Sequence, residues 1–487
     1  MVKTKRQKIK RKRNFLKTQK SKLSSSKPDK PNSIIQNKNL REKSLTKEKS
    51  SIKENKIKNF LKNNDVCSDS DYCVVFGFND FLIKEIFNDF DTFENVIFSK
   101  IRKLGEKSSN GFIIEIPYKQ GGNQFRVVLK SSVKEKSDNL IYEGIVGKVV
   151  NRFANQFPLF IKTYGIGNYI DENLYDKLAN YNSQTSITEN DLSGLNIRKT
   201  GVSYEFNNIG ESCDKPIYNC ILLEDLIHTK SFYDVLMDSK SDPNFFEKFI
   251  SYMFQLYCPL DILKDKFTHY DLHYLNCLIY YPSMKCDTYI TMKYHYPKGD
   301  VIKFKTCGIS KIIDYGRSYF YYNATYNSSK LFDDVCDERK CKPSCGYLKG
   351  YQWFSSSPSK PSDYYINPYI QNVSHDLRLL NESKETLNEA NIENSALNEL
   401  IFNKLHYSVG LKNTPENNHY GTPEVKKGGY PNRILNVSDA HKLLKRVITS
   451  PEFIKQNESQ FAGKTEMGTL DIWVNDSQPM KYVSTFR

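Results

Sequence analysis

Apolar residues fall at two different spacings between residues 100 and 160, and the change of spacing separates strands from a helix. In SKIRKLGEKSSNGFIIEIPY, two β-prone runs flank a polar turn bounded by Gly105 and Gly111. A second turn, KQGGNQ at 119 to 124, leads into FRVVLK, which ends at Lys130. Short β-branched and aromatic runs joined by glycine-bearing turns predict an antiparallel meander. Residues 138 to 156 then change period. Ile141, Ile145, Val149 and Phe153 stand four apart and predict one apolar helical face, with Asp138 as its N-cap.

PLFIKTYGIGNYI predicts a further strand, and YNCILLEDL (218 to 226) a buried strand with acids at its end. Residues 171 to 216 between them are polar and Asn/Ser-rich, which suits a surface insertion. From Asp242 the pattern is helical and strongly aromatic, in FFEKFISYMFQLYCPLDIL, and Pro259 is expected to bend or interrupt that helix. FTHYDLHYLN follows at once, then the run CLIYY, a polar hairpin-like stretch and a strand in KTCGISKIIDYG (305 to 316). A long loop rich in Tyr, Ser and Pro precedes SHDLRLL (374 to 380), with helices expected within 383 to 408 and 438 to 456.

Charge changes the picture at one end. The chain of 487 residues carries +15, but residues 1 to 63 hold 22 Lys or Arg against 4 acids, so the remainder is close to neutral. That stretch has few aromatics and no sustained periodicity, and such composition predicts a disordered basic tail over 1 to 70. Its run KRQKIKRKR suits a nuclear address or a contact with nucleic acid or another acidic partner, with a solvated tail as the plain alternative. Neither a signal-peptide core nor a membrane-length apolar run is present, so no membrane partner is expected and a cytoplasmic location in a host cell, or a nuclear or virion one, fits. Eleven scattered cysteines suit reduced thiols. The cluster Cys336, Cys341 and Cys345 lacks a fourth ligand at zinc spacing, which favours a local loop over a metal site.

The chemistry concentrates in FTHYDLHYLN, where His269, Asp271, His273 and Asn276 crowd together, and in IIDYG, which carries Asp314. With VVLK ending at Lys130, these elements resemble the protein-kinase-like superfamily over roughly residues 100 to 400. His269, Asp271 and Asn276 match its catalytic loop, DYG its Asp-Phe-Gly element, and Lys130 its third-strand lysine. The resemblance implies ATP and Mg²⁺ as cofactors. Lys130 would contact the α and β phosphates, with Glu143 holding it and Glu135 as the rival partner. Asp271 would act as catalytic base, Asn276 and Asp314 would hold the metal, and the Gly105–Gly111 turn would cover the phosphates. Leu222 to Asp225 would form the hinge, with Glu224 and Leu226 at the nucleotide. Asp376 would brace the catalytic loop, or else serve as an N-cap, and His269 would support the loop rather than bind zinc.

The implied fold class is α+β and bilobed, an antiparallel sheet plus one helix in a small lobe and a mainly helical large lobe. The expected organisation is a basic tail (1–70), an adaptor (71–100), a small lobe (101–226, insertion at 171–216), a large lobe (227–456) and a C-terminal extension (457–487). Two departures bear on the substrate. Tyr270 stands where the family has an arginine that answers an activating phosphate, and His273 replaces a lysine. The Asn/Lys/Tyr-rich composition is similar to that of divergent serine/threonine kinases of large DNA viruses. A Ser or Thr hydroxyl of a protein is the expected acceptor, with a small-molecule kinase or an inactive scaffold whose tail binds nucleic acid as alternatives.

Overall fold

The computed structural model describes residues 93–108, 111–120, 123–132, 137–182, 184–198, 218–283, 287–329, 371–407, 423–475 and 478–485. The basic tail, the adaptor up to residue 92, residues 109–110 of the glycine turn, Glu135 and the cysteine cluster at 336–345 lie outside them.

β1 (Arg102–Ser108), β2 (Gly111–Gln120) and β3 (Asn123–Ser132) form an antiparallel meander. With β4 (Thr163–Tyr169), β5 (Leu195–Arg198) and β6 (Asn219–Glu224) they make one sheet in the order β1-β2-β3-β6-β4-β5, antiparallel throughout. Alternation along each strand sorts its side chains between two faces. Ile114, Ile116, Val127 and Leu129 are fully buried in one core cluster, while Ile113, Val128 and Lys130 turn to a cavity on the other face. The Asn/Ser-rich segment expected to lie on the surface is partly built into this sheet. α2 (Glu172–Ala179) buries Leu174, Tyr175 and Leu178 in the same cluster, and β5 supplies the edge strand. A few apolar residues at helical spacing were enough to anchor a segment whose average composition is polar.

α1 (Ser137–Gln156) begins one residue before Asp138, which therefore lies inside the first turn instead of capping it. Its apolar face packs with Ile166, Ile221 and Leu223 of the sheet. Glycines set how closely the helix approaches. A Cβ on Gly144 would meet Ile166 at 2.6 Å, and one on Gly147 would meet Thr163 Oγ1 at 2.0 Å. Asn151 completes the contact by donating to Thr163 O (2.7 Å) and accepting from Thr163 N (2.8 Å).

The second half is built around α3 (Phe245–Ile262), buried along most of its length. The helix runs on through Pro259 where a bend or break was expected. Proline stands in the last turn and still accepts from Leu263 N (2.9 Å), so only one helical hydrogen bond is lost within a tightly enclosed core. The stretch expected as one strand over 305–316 divides into β11 (Val301–Thr306) and β12 (Ile309–Ile312). Between them Gly308 lies so close to Tyr252 and Ile279 that a side chain would not fit. β12 pairs with β9 (Cys277–Tyr280), and β9 with β7 (Thr229–Ser231).

The C-terminal extension forms strands that sequence patterning did not announce. β15 (Thr465–Trp473) pairs in parallel with β10 (Thr288–His295) and antiparallel with β16 (Lys481–Ser484), burying Leu470 and Ile472. It also reaches the end of α1, where Gln156 Nε2 donates to Trp473 O (2.9 Å) and Met480 N to Asn155 O (2.9 Å). Two further helices, α4 (Arg378–Glu389) and α5 (Val437–Ile448), pack in this half. No helix among the described residues is long and apolar enough to cross a membrane.

One ion pair in this half gives a pH signature. His441 of α5 holds Asp261 of α3 through Nδ1 (2.7 Å) and meets Tyr296 Oη at Nε2 (2.8 Å). Burial opposes the imidazolium, but Cys258 and Asp261 outweigh it and raise His441 to about 9. A raised cationic group adds stability that is fully present below the unfolded value near 6.5 and is lost as pH rises through 9. Melting temperature should therefore fall across that interval, and His441→Gln should flatten the slope. An unchanged slope in the variant would remove the pair as its source.

Candidate active site

A cavity of about 550 Å³ lies beneath the first sheet, a size that suits a nucleotide-sized ligand. Leu104, Ile113 and Val128 wall it from above and Leu278 and Ile313 from the opposite side, with charged groups at both ends.

At the inner end Lys130 donates to both oxygens of Glu143 on α1, at 2.9 and 2.7 Å. It also reaches Asp314 Oδ1 at 3.3 Å. The close fit of α1 on β4 is what brings a helix carboxylate to a strand lysine. Burial pushes Glu143 up to about 7 against the pull of Lys130. The lysine stays above its ordinary value, because Asp314 and Glu143 outweigh the cost of burying it. Burial also works against the Asp314 carboxylate, but Lys130 and Arg317 hold it below the usual range.

The segment 269–276 is a tightly tied loop. Asp376, just ahead of α4 and almost fully buried, accepts from His269 N (2.8 Å) and Tyr270 N (3.0 Å). These bonds hold Tyr270 in a left-handed conformation (φ 64°) with its ring against His375. Burial raises the Asp376 carboxyl to about 7, opposed by those two N–H groups. His269 is buried and pushed down to about 4, so its ring is neutral and Nε2–H donates to Ile313 O (2.9 Å). That bond ties the loop to the residue preceding Asp314, itself left-handed at φ 66°. Non-glycine residues in this region carry strain, and both flank the cavity's polar end.

Asn276 Nδ2 donates to Asp271 O (2.9 Å), while its Oδ1 takes no hydrogen bond among the described residues. The Asn276 amide oxygen and the Asp314 carboxylate are hard-oxygen donors of the kind that could hold Mg²⁺, with phosphates and water supplying most of the metal's ligands. No group of three or more His, Cys, Asp or Glu among the described residues could hold a metal by itself.

The structure thus brings Lys130, Glu143, Asp271 and Asp314 to one cavity, ties Asn276 to the Asp271 carbonyl, and places the glycines differently. β1 continues through Gly105 (φ 65°), its register slipping between Leu104 and Ser108, and Ser108 pairs with Gly111. Gly111 is needed for close approach, since a Cβ there would meet Ser131 O at 1.8 Å. Neighbouring Leu104 face the cavity, while neither glycine lines it. Glu224 and Leu226 both line the cavity. The Glu224 carboxylate accepts from Lys162 N (3.1 Å) and faces Lys311 at 3.9 Å, while its own N–H is bonded to Lys162 O.

Two features escaped the sequence reading. Asp271 is gripped by guanidinium groups, Arg378 Nη1 at 2.8 Å and Arg317 Nη1 at 3.4 Å. Arg378 stands two residues after Asp376 in SHDLRLL and Arg317 directly follows DYG, so both signals were adjacent to motifs already singled out. At the cavity's outer end Glu115 accepts from Arg102 (2.7 Å) and Arg126 (3.0 Å), and Asp225 beside it is raised to about 7 by burial and by Glu115. These residues come from three strands and a turn, a grouping that no local motif reveals.

No protein-family profile matches the chain, and no curated protein matches it. Among solved structures it is similar to a crystal structure of a kinase domain, with 14% identity, a TM-score of 0.26, and coverage of 50% of this chain and 60% of that one.

Proposed function

We propose that the chain is an ATP- and Mg²⁺-dependent phosphotransferase of kinase-like fold that moves the γ-phosphate to a hydroxyl, foremost Ser or Thr of a protein. One observation carries this reading. Lys130, locked by Glu143, and Asp314 converge at the same end of a nucleotide-sized cavity as the tied loop bearing Asp271 and Asn276.

Phosphoryl transfer needs alignment and charge neutralisation more than covalent help from the protein. Lys130 would offer its ammonium to the α and β phosphates, with Glu143 fixing its direction. Asp314 and the Asn276 oxygen would hold Mg²⁺, which when bound neutralises the phosphate charge. The acceptor oxygen attacks the γ-phosphorus and its proton passes to the Asp271 carboxylate. The bond from phosphorus to the bridging β-oxygen breaks, its electron pair leaving on ADP. Buried Tyr270 offers no cation to an activation-loop phosphate, so activity should not depend on that switch.

A small-molecule acceptor is the second reading, favoured by neutral His273 at the site of the usual lysine. Burial lowers its pKa, and its Nδ1 accepts from Leu275 N (3.2 Å). The deciding experiment offers γ-labelled ATP with Mg²⁺ to the full chain, alongside a Ser/Thr-containing basic protein and a panel of small alcohols. Labelled protein is expected. Label on the alcohols alone would shift the assignment to the second reading. Nucleotide binding without transfer to any acceptor would mark an inactive scaffold.

A further inference from the structure

Resting on the phosphotransferase reading, we propose that Arg317 is the cation that meets the transferring phosphoryl group, replacing the one that the loop 269–276 does not supply. His273, two residues beyond Asp271, is held neutral by burial and offers a lone pair to Leu275 N. A transferring phosphoryl group spreads negative charge over its peripheral oxygens and is stabilised by a preorganised cation. Some other residue must bring that charge to the space between Asp271 and Asp314.

Two arginines approach Asp271, and they are not equivalent. Arg378 side-chain exposure is 12%; Nη1 holds Asp271 Oδ1 at 2.8 Å and Nε holds Glu382 at 2.7 Å. Glu382 in turn accepts from Tyr274 N (3.3 Å), so this arginine is fixed between α4 and the loop. Arg317 is more open at 29%, lines the cavity, and stands 3.4 Å from Asp271 Oδ2. It therefore contacts the proton-accepting carboxylate and lines the same cavity as the metal-facing one.

The division of labour follows from which oxygen each arginine touches. Arg378 keeps Oδ1 and with it the orientation of Asp271. Arg317 stands beside Oδ2 and would turn its planar fork to the γ-phosphate oxygens of a bound nucleotide. That movement uncovers Oδ2 for the acceptor's proton. The acceptor O–P bond forms, the bridging O–P bond breaks toward ADP, and Arg317 stays charged throughout.

The test compares wild type with Arg317→Met and Arg317→Lys, measuring kcat, KM for ATP, and the affinities for ATP and ADP by calorimetry. Arg317→Met should lower kcat by about 10²–10³-fold. It should also erase much of the preference for ATP over ADP while leaving ADP affinity near wild type. Arg317→Lys, which keeps the charge without the fork, should recover part of both. If Arg317→Met keeps both its kcat and its ATP-to-ADP ratio, the arginine has no such role even though the enzyme is a phosphotransferase. If wild type binds neither nucleotide, the parent reading falls and this one with it. Arg317→Lys serves as the folded reference should the methionine variant be unstable, and full activity in it together with full ATP preference would still speak against fork recognition.

Discussion

Asp271→Asn is expected to lower phosphoryl transfer by about 10²–10⁴-fold, the range a positioned general base contributes. Nucleotide affinity should stay near wild type, because the groups assigned to the phosphates and their metal are Lys130, Arg317, Asn276 and Asp314. The amide keeps the side chain's shape, so Arg378 and Glu382 retain their ion pair and the loop its backbone bonds to Asp376. A loss of kcat with unchanged KM for ATP and an unchanged melting temperature is the signature. Retention of more than about a tenth of wild-type transfer would remove Asp271 from the proton's path.

The second large effect concerns stability. Asp376→Ala should strand two buried N–H groups, those of His269 and Tyr270. Each unsatisfied group costs about 1–3 kcal/mol, so the substitution should destabilise by roughly 2–6 kcal/mol. That corresponds to a drop in Tm on the order of 2–8 °C. Tyr270 is held at φ 64° by these bonds, so the loop should relax before the rest of the core does. Hydrogen exchange at residues 268–276 would show it as lost protection ahead of global unfolding. Asp376→Asn keeps one acceptor oxygen and should recover part of the loss. Wild-type stability in Asp376→Ala would mean that the loop is held elsewhere.

The site was legible to the extent that its chemistry sits in contiguous motifs. Asp271 and Asn276 share one loop, Asp314 a strand end and Lys130 a strand, and period alone placed the meander and α1. Glu143 could be chosen over Glu135 only as a preference, since both follow Lys130 closely in the sequence. Its selection depends on the approach of α1 to β4, set by Gly144 and Gly147, which a one-dimensional pattern does not display. The arginines at Asp271 were hidden for a related reason. Polar residues beside a motif carry no periodic signal, and their meaning comes from the carboxylate they face. β15 and β16 were missed because β15 finds its partner, β10, in parallel and far away along the chain.

That last pairing carries a consequence for how the protein assembles. Thr288 lies opposite Thr465 and His295 opposite Trp473, so the sheet closes a very long chain loop. Loop-closure entropy opposes such contacts before burial can reward them, and topologies that depend on them fold slowly. The same strand region secures the end of α1 through Gln156 and Asn155. The ion pair of Lys130 with Glu143 looks local, since its partners stand on neighbouring elements. Its final geometry is nonetheless expected to wait on a contact between residues far apart in the chain, so that cavity and scaffold should mature together rather than in succession.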